Sequence, residues 1–133
     1  MSLGSDRAVV ITGGAGFIGC NLADALLQAG ERVIVYDNLS RPGTEKNLRW
    51  LAQRHPKRLE VEVGDVRDAE RVRRVVERAE TLYHLAAQVA VTSSVTDPGY
   101  DFAVNAEGTL NMLQAARSAP EPPAVLFTST NKV

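Results

Sequence analysis

Short apolar runs alternate along this chain with longer segments whose apolar residues recur every three or four positions. Ala8-Val-Val-Ile-Thr12, Val33-Ile-Val-Tyr36 and Thr81-Leu-Tyr-His-Leu85 are runs of the first kind. The reading places strands near 8–12, 32–36, 59–63, 81–85 and 124–129, and helices near 17–29, 45–54, 68–79 and 100–118. Gly30 is expected to stop the first helix. In Asp68-Ala-Glu-Arg-Val-Arg-Arg-Val-Val-Glu-Arg78 the period puts Val72, Val75, Val76 and Ala79 on one face, with arginines and glutamates opposite. That charge cluster reads as a solvated helix face, not a nucleic-acid patch. Pro120, Pro122 and Pro123 mark the connection before the last strand. Strand–helix alternation throughout predicts an α/β fold, a doubly wound parallel sheet covered on both faces. Right-handed crossovers with one reversal of winding predict the strand order 3-2-1-4-5, with a ligand crevice where strands 1 and 4 diverge.

The loops meeting at that crevice carry the candidate chemistry. Gly13, Gly16 and Gly19 sit three apart between the first strand and the first helix. Gly13 allows a tight turn, Gly16 leaves no Cβ between backbone and a diphosphate, and Gly19 lets the helix lie close against the sheet. The free N–H groups and positive dipole end of the helix then face the phosphates. Asp37 follows Gly19 by 18 residues, at the end of the second strand. There a carboxylate accepts hydrogen bonds from both hydroxyls of an adenosine ribose, the fingerprint of a dinucleotide-binding Rossmann domain. Asp37 favours NAD over NADP because it repels a 2′-phosphate, while Arg41 nearby has the opposite tendency or stacks on adenine.

Composition narrows the class. The chain has 133 residues, 44% hydrophobic and 23% charged, with net charge −1. This is enough for one domain with a core, without the basic excess of a nucleic-acid binder. No apolar run approaches the ~20 residues of a membrane span, and Met1 to Asp6 lacks the segments of a signal peptide. Residues 1–7 read as a loose or tag-derived N-terminus. Cys20 is the single cysteine, which fits a reducing cytoplasm. It lies in the first helical turn, where a thiolate is favoured, yet a packing role is the expectation. His84, inside an apolar run, reads as a satisfied core histidine, and His55 has no evident partner. Trp50 and Leu51 read as helix core. No Cys/His/carboxylate spacing suggests a metal. Only five of a common six strands are present, so residues 8–133 are expected to be an incomplete dinucleotide domain, the N-terminal part of a larger protein.

Six motifs in order resemble the extended short-chain dehydrogenases/reductases, the NAD-dependent nucleotide-sugar epimerases and dehydratases. They are Thr12-Gly-Gly-Ala-Gly-Phe-Ile-Gly19, Asp37-Asn-Leu39, Gly64-Asp-Val66, His84-Leu-Ala-Ala87, Asn105-Ala-Glu-Gly-Thr109 and Thr128-Ser-Thr130. The stretch Asp37 to Leu51, with His84 to Thr92 and Ser129 to Val133, is similar to the branch of CDP-tyvelose (CDP-paratose) 2-epimerases. The resemblance implies an NAD site that adds Phe17, Ile18, Asn38, Leu39, Ser40 and Thr128 to the residues above. Asp65 and Val66 would contact the adenine, Leu85, Ala86 and Ala87 would let the backbone pass close to the ribose and nicotinamide side, and Gln88 would face the same crevice. Asn105 would brace the site, and Thr92 to Asp97 would form a lip for the sugar.

It further implies transient oxidation of a nucleotide sugar, here a CDP-dideoxyhexose, to a ketosugar and its re-reduction. Thr130 matches the catalytic Ser/Thr. The catalytic Tyr and Lys of Tyr-x-x-x-Lys are absent, since Tyr36, Tyr83 and Tyr100 are not followed by Lys four residues later. The 133 residues alone are therefore expected to bind cofactor without turnover. A homodimer through the helix at 100–118 and the helix expected after it is implied for the full-length protein, although Val104, Leu110, Leu113 and Ala116 read as used by the sheet. A dehydratase or reductase of the same family, or a sensor module without catalysis, are the alternatives.

Overall fold

The computed structural model describes residues 7–87 and 95–129. The elements run β1 (Ala8–Thr12), α1 (Phe17–Gln28), β2 (Val33–Asp37), α2 (Thr44–Arg54), β3 (Leu59–Val63), α3 (Ala69–Val76) and β4 (Ala79–His84). After these come α4 (Pro98–Phe102), a π-helical turn (Ala103–Glu107), α5 (Gly108–Ser118) and β5 (Ala124–Phe127). All strand pairings are parallel and the order is β3-β2-β1-β4-β5, as the sequence predicts.

The two central strands explain why the chain folds this way. β1 and β2 are apolar at every position but their ends, so each side of the sheet needs a helical layer. Val9, Ile11, Val33 and Val35 meet Ala23 and Leu27 of α1 and Leu51 of α2. Ala8, Val10, Ile34 and Tyr36 point the other way, against Val72, Val75 and Val76 of α3 and Val104, Met112 and Ala116 beyond it. β3 is an edge, and its outward glutamates are covered by arginines from α3 and from the turn that follows it. Arg71 reaches Glu62 at 2.9 Å, and Arg78 grips Glu60 at 2.6 and 2.9 Å. Such charges blunt an open strand edge.

Several details depart from the reading of the sequence. The helix expected over 100–118 begins at Pro98 and is interrupted by the π turn. Leu110 and Leu113 point outward, leaving Val104, Met112, Ala115 and Ala116 to pack on the sheet. Trp50 is not core; it is exposed beneath the Arg54 guanidinium, 5.0 Å from the ring centroid, while Leu51 is fully buried. His55 does have a partner, donating its Nε2–H to Asp24 Oδ1 at 2.7 Å. Arg7, grouped with the loose N-terminus, is tied by its guanidinium to the carbonyls of Ala79 and Glu121. Gly30 ends α1 as expected: at φ +91° its N–H reaches Leu27 O at 3.0 Å, and Glu31 N–H reaches Leu26 O.

Candidate dinucleotide site

The loops after β1, β2, β3 and β4 open at the C-terminal edge of the sheet around a crevice of about 660 Å³, including its open mouth. The loop between β1 and α1 is held by backbone bonds from Gly13 N–H to Tyr36 O (2.9 Å) and from Gly16 N–H to Gly13 O (3.1 Å). Gly13 has φ +71°, a conformation that L side chains rarely adopt. Gly16 behaves differently. A Cβ added there would meet a single neighbour, Gly13 O at 3.4 Å, and would otherwise stand in the crevice. Among the described residues nothing else requires glycine at that position, and the space beside it is part of the crevice. Gly19 departs from expectation: its missing Cβ makes room for the loop itself, with Gly13 O at 2.4 Å and Gly14 Cα at 2.7 Å, rather than for the sheet.

The first intrahelical bond of α1 runs from Cys20 N–H to Gly16 O at 2.9 Å. The amides of Phe17, Ile18 and Gly19 therefore precede any helical acceptor and point from a helix start that carries no acidic side chain. Cys20 is buried behind them, and burial, with Asp24 nearby, pushes its thiol above the ordinary range. The reactive-thiolate reading fails on that ground.

Asp37 closes the site from the side. Its Oδ2 accepts from Ala15 N–H at 3.0 Å and its Oδ1 from Leu39 N–H at 2.8 Å. Each oxygen retains lone pairs for a ligand hydroxyl. The backbone of Ala15 is held on both sides, because its carbonyl accepts from Asn47 Nδ2 at 2.7 Å. Asn38 repeats the pattern of Asp37, taking Ser40 N–H on Oδ1 at 3.1 Å. The two side-chain turns leave Leu39 at φ +59°. Arg41 stands exposed at the rim, across from Thr44.

Asp65 is more occupied than the resemblance suggests. Arg67 binds it in a fork, Nε to Oδ1 at 2.9 Å and Nη2 to Oδ2 at 2.8 Å, and Asn38 Nδ2 adds 3.1 Å. The guanidinium holds this carboxyl well below the usual carboxylate range. The cap of α3 is Asp68, whose carboxylate accepts Arg71 N–H at 3.1 Å. Arg67 also lies 4.9 Å above the Tyr100 ring. Tyr36 donates its hydroxyl to Asp65 O at 2.7 Å, and burial raises its pKa.

Of the residues singled out from sequence, the crevice gathers Gly13, Gly16, Asp37, Asn38, Ser40, Arg41, Asp65, Val66, Leu85, Ala86 and Ala87. Phe17 and Ile18 stand exposed on the first turn of α1. Gly19 is buried behind the loop and Leu39 lies in the turn after Asp37. Asn105 sits in the π turn, with its amide on Asp101 Oδ1 at 3.2 Å. Thr128 is exposed just past β5. Gln88, Thr130 and the first half of the proposed lip, residues 92–94, lie outside the described residues. Sequence reasoning missed Tyr36, Thr44, Gly64, Tyr100 and Val104, which also line the crevice. Gly64 carried a signal in its motif: a Cβ there would strike the Tyr36 hydroxyl at 2.7 Å. Among the described residues no cluster suits a metal ion and no helix is long and apolar enough to cross a membrane.

The profile of the GDP-mannose 4,6 dehydratase family matches residues 10–133. The chain belongs to that family. Within the GDP-mannose 4,6 dehydratase family, as the motif order led us to expect, its relatives include epimerases. It is 42% identical over 127 residues to a CDP-paratose 2-epimerase of Salmonella typhi, covering 94% of this chain and 37% of that protein. Among solved structures, the UDP-glucose 4-epimerase of Thermus thermophilus, in complex with NAD, superposes with a TM-score of 0.70 at 42% identity, over 82% of this chain and 33% of that one. The Brucella ovis UDP-glucose 4-epimerase with NAD gives 0.78 at 34% identity, over 92% and 35%. The chain thus spans about a third of the length of the curated relatives it matches.

Proposed function

We propose that the crevice binds NAD, and that the full-length protein is a nucleotide-sugar epimerase acting at C2 of a CDP-linked dideoxyhexose, the CDP-paratose/CDP-tyvelose interconversion. The observation that carries the cofactor assignment is Gly16, which keeps open a space that no atom of the described residues fills, beside a carboxylate locked to the same loop. The amides of Phe17, Ile18 and Gly19 hold the diphosphate, and Asp37 receives the ribose hydroxyls. Val66 supports the adenine from below, and Ala86 and Ala87 leave room beside the nicotinamide. Bound NAD supplies a hydride acceptor and donor, so that one sugar carbon is oxidised and then reduced on its other face with no net redox change. Thr130, by its place in the terminal motif, orients the reacting hydroxyl.

The proton is taken by a Tyr whose partner Lys lies four residues on, and no such pair occurs in these 133 residues. Turnover is accordingly assigned to the full-length protein, and the 133-residue chain alone binds cofactor without catalysis. Leu110 and Leu113, exposed and three residues apart on α5, offer an apolar patch for pairing with a second copy. A single buried cysteine suits the reducing cytoplasm.

The family description favours one second reading, a dehydratase built on the same cofactor chemistry. Incubating full-length protein with CDP-paratose separates the two. Interconversion with CDP-tyvelose, without accumulating NADH, supports the epimerase. Loss of water from the sugar supports the dehydratase, and turnover of UDP-glucose alone sinks the CDP-dideoxyhexose assignment.

A further inference from the structure

The crevice wall at Leu85–Ala87 has no side chain able to hold it; what fixes it lies behind. Thr12, the last residue of β1, is buried, and its Oγ1 accepts from the N–H groups of both Leu85 and Ala86, each at 3.1 Å. Leu85 N–H also reaches Thr12 O at 3.1 Å, so Ala86 depends more on the hydroxyl. Thr12 Oγ1 stands 2.7 Å from His84 Nδ1. On the far side of the ring, Nε2 is 3.1 Å from Thr109 Oγ1, and that hydroxyl lies 2.7 Å from Asn105 O inside the π turn.

Proton accounting along this path has one consistent solution. A carbonyl only accepts, so the Thr109 proton goes to Asn105 O, and the proton between Nε2 and Thr109 belongs to Nε2. A neutral imidazole has one N–H, which leaves Nδ1 bare to accept from Thr12. The other tautomer would leave the Thr12 proton without an acceptor among the described residues and turn the Thr109 proton away from Asn105. Protonating both nitrogens meets the same conflict at Thr12, and burial already lowers the pKa of the ring to about 4.

We propose that His84 is a positioning residue of the crevice: as the neutral Nε2–H imidazole it ties the Ala86 wall to the π turn of the facing helix. This rests on the NAD reading of the crevice. Both ends of the path reach the site, since Ala86 and, from the π turn, Val104 line it. There is no slack at the near end. The position a Gly13 Cβ would take is 2.9 Å from Ala86 N and 3.0 Å from its Cα, so any shift of Ala86 is felt by the turn that cradles the diphosphate.

The test uses full-length protein. Imidazole nitrogen NMR of His84 near neutral pH is expected to show Nε2 protonated and Nδ1 bare. His84→Asn places an amide oxygen near the Nδ1 position, able to accept from Thr12, and should bind NAD within about threefold of wild type. His84→Gln keeps an amide at the Nε2 end but offers Thr12 no acceptor, and should bind about tenfold more weakly, as should Thr12→Val. The Gln/Val double variant should be no weaker than either single one, because both break one path. An Nδ1–H tautomer, or a Gln variant as tight as wild type while wild type binds NAD, would overturn the positioning role alone. Wild-type protein that does not bind NAD would overturn the cofactor reading, and the positioning role with it.

Discussion

Gly16 and Gly19, three residues apart at the start of α1, should respond oppositely to the same methyl group. At Gly19 a Cβ would sit 2.4 Å from Gly13 O, 2.7 Å from Gly14 Cα and 3.0 Å from Gly13 C, all backbone that cannot swing aside. Overpacking of this kind costs about 1–3 kcal/mol, and the better helix propensity of alanine returns up to about 1 kcal/mol. Gly19→Ala should therefore lose roughly 1–2 kcal/mol of stability, and NAD affinity falls because the loop moves. At Gly16 the backbone, φ −78° and ψ 179°, suits alanine, and the nearest internal atom is 3.4 Å away. Gly16→Ala should keep stability within about 0.5 kcal/mol while its methyl occupies the crevice. The expected loss of NAD affinity is at least about tenfold, or about 1.4 kcal/mol. Urea unfolding and calorimetric titration of full-length variants measure the two quantities separately. A Gly16→Ala protein that binds NAD like wild type, or that unfolds as easily as Gly19→Ala, would refute the division of roles.

Other perturbations follow from the same geometry. The folded-state pKa of His84 drops from 6.5 to about 4, so between those values the unfolded chain binds a proton that the native one does not. Stability should be complete above pH 6.5 and decline as pH falls toward 4, by at most about 3 kcal/mol from this group. Comparing urea midpoints of wild type and His84→Asn between pH 7 and 5, above the range where carboxylates contribute, checks it; parallel curves would count against it. Asn47→Ala releases the Ala15 carbonyl and should cost about 1 kcal/mol in unfolding and several-fold in NAD affinity; unchanged titrations would show that the clamp is idle. Asp24→Asn loosens the pairing with His55 and Arg54 that joins α1 to α2. It should cost at most about 1 kcal/mol and leave NAD binding alone, because Asp24 does not line the crevice.

Much of this architecture was legible because it is local. β1 and β2 are written as apolar runs that must be buried on both faces, and once the crossovers are right-handed the strand order has little freedom. The glycine spacing and Asp37 belong to one β–α–β unit, so their meeting follows from chain geometry. The illegible parts depend on side chains brought together from distant segments. Thr12 and His84 are 72 residues apart, and His84 and Thr109 another 25. No periodicity marks such a path. Asp65 could be placed at the end of β3, but its capture by Arg67 depends on a bend just before α3. Trp50 escapes the pattern because an aromatic on an amphipathic helix is usually core, whereas here the Arg54 side chain covers it at the surface. The π turn breaks the 3.6-residue period before the last helix, so Leu110 and Leu113 face outward rather than toward the sheet.

The central claim is that Asp37, fastened to the glycine loop through Ala15, grips an unphosphorylated adenosine ribose. Parallel calorimetric titrations of the full-length protein with NAD and NADP address it most directly. Tighter binding of NAD, with the preference largely erased in Asp37→Ala, is the expected result. Equal or tighter binding of NADP by the wild-type protein would contradict it.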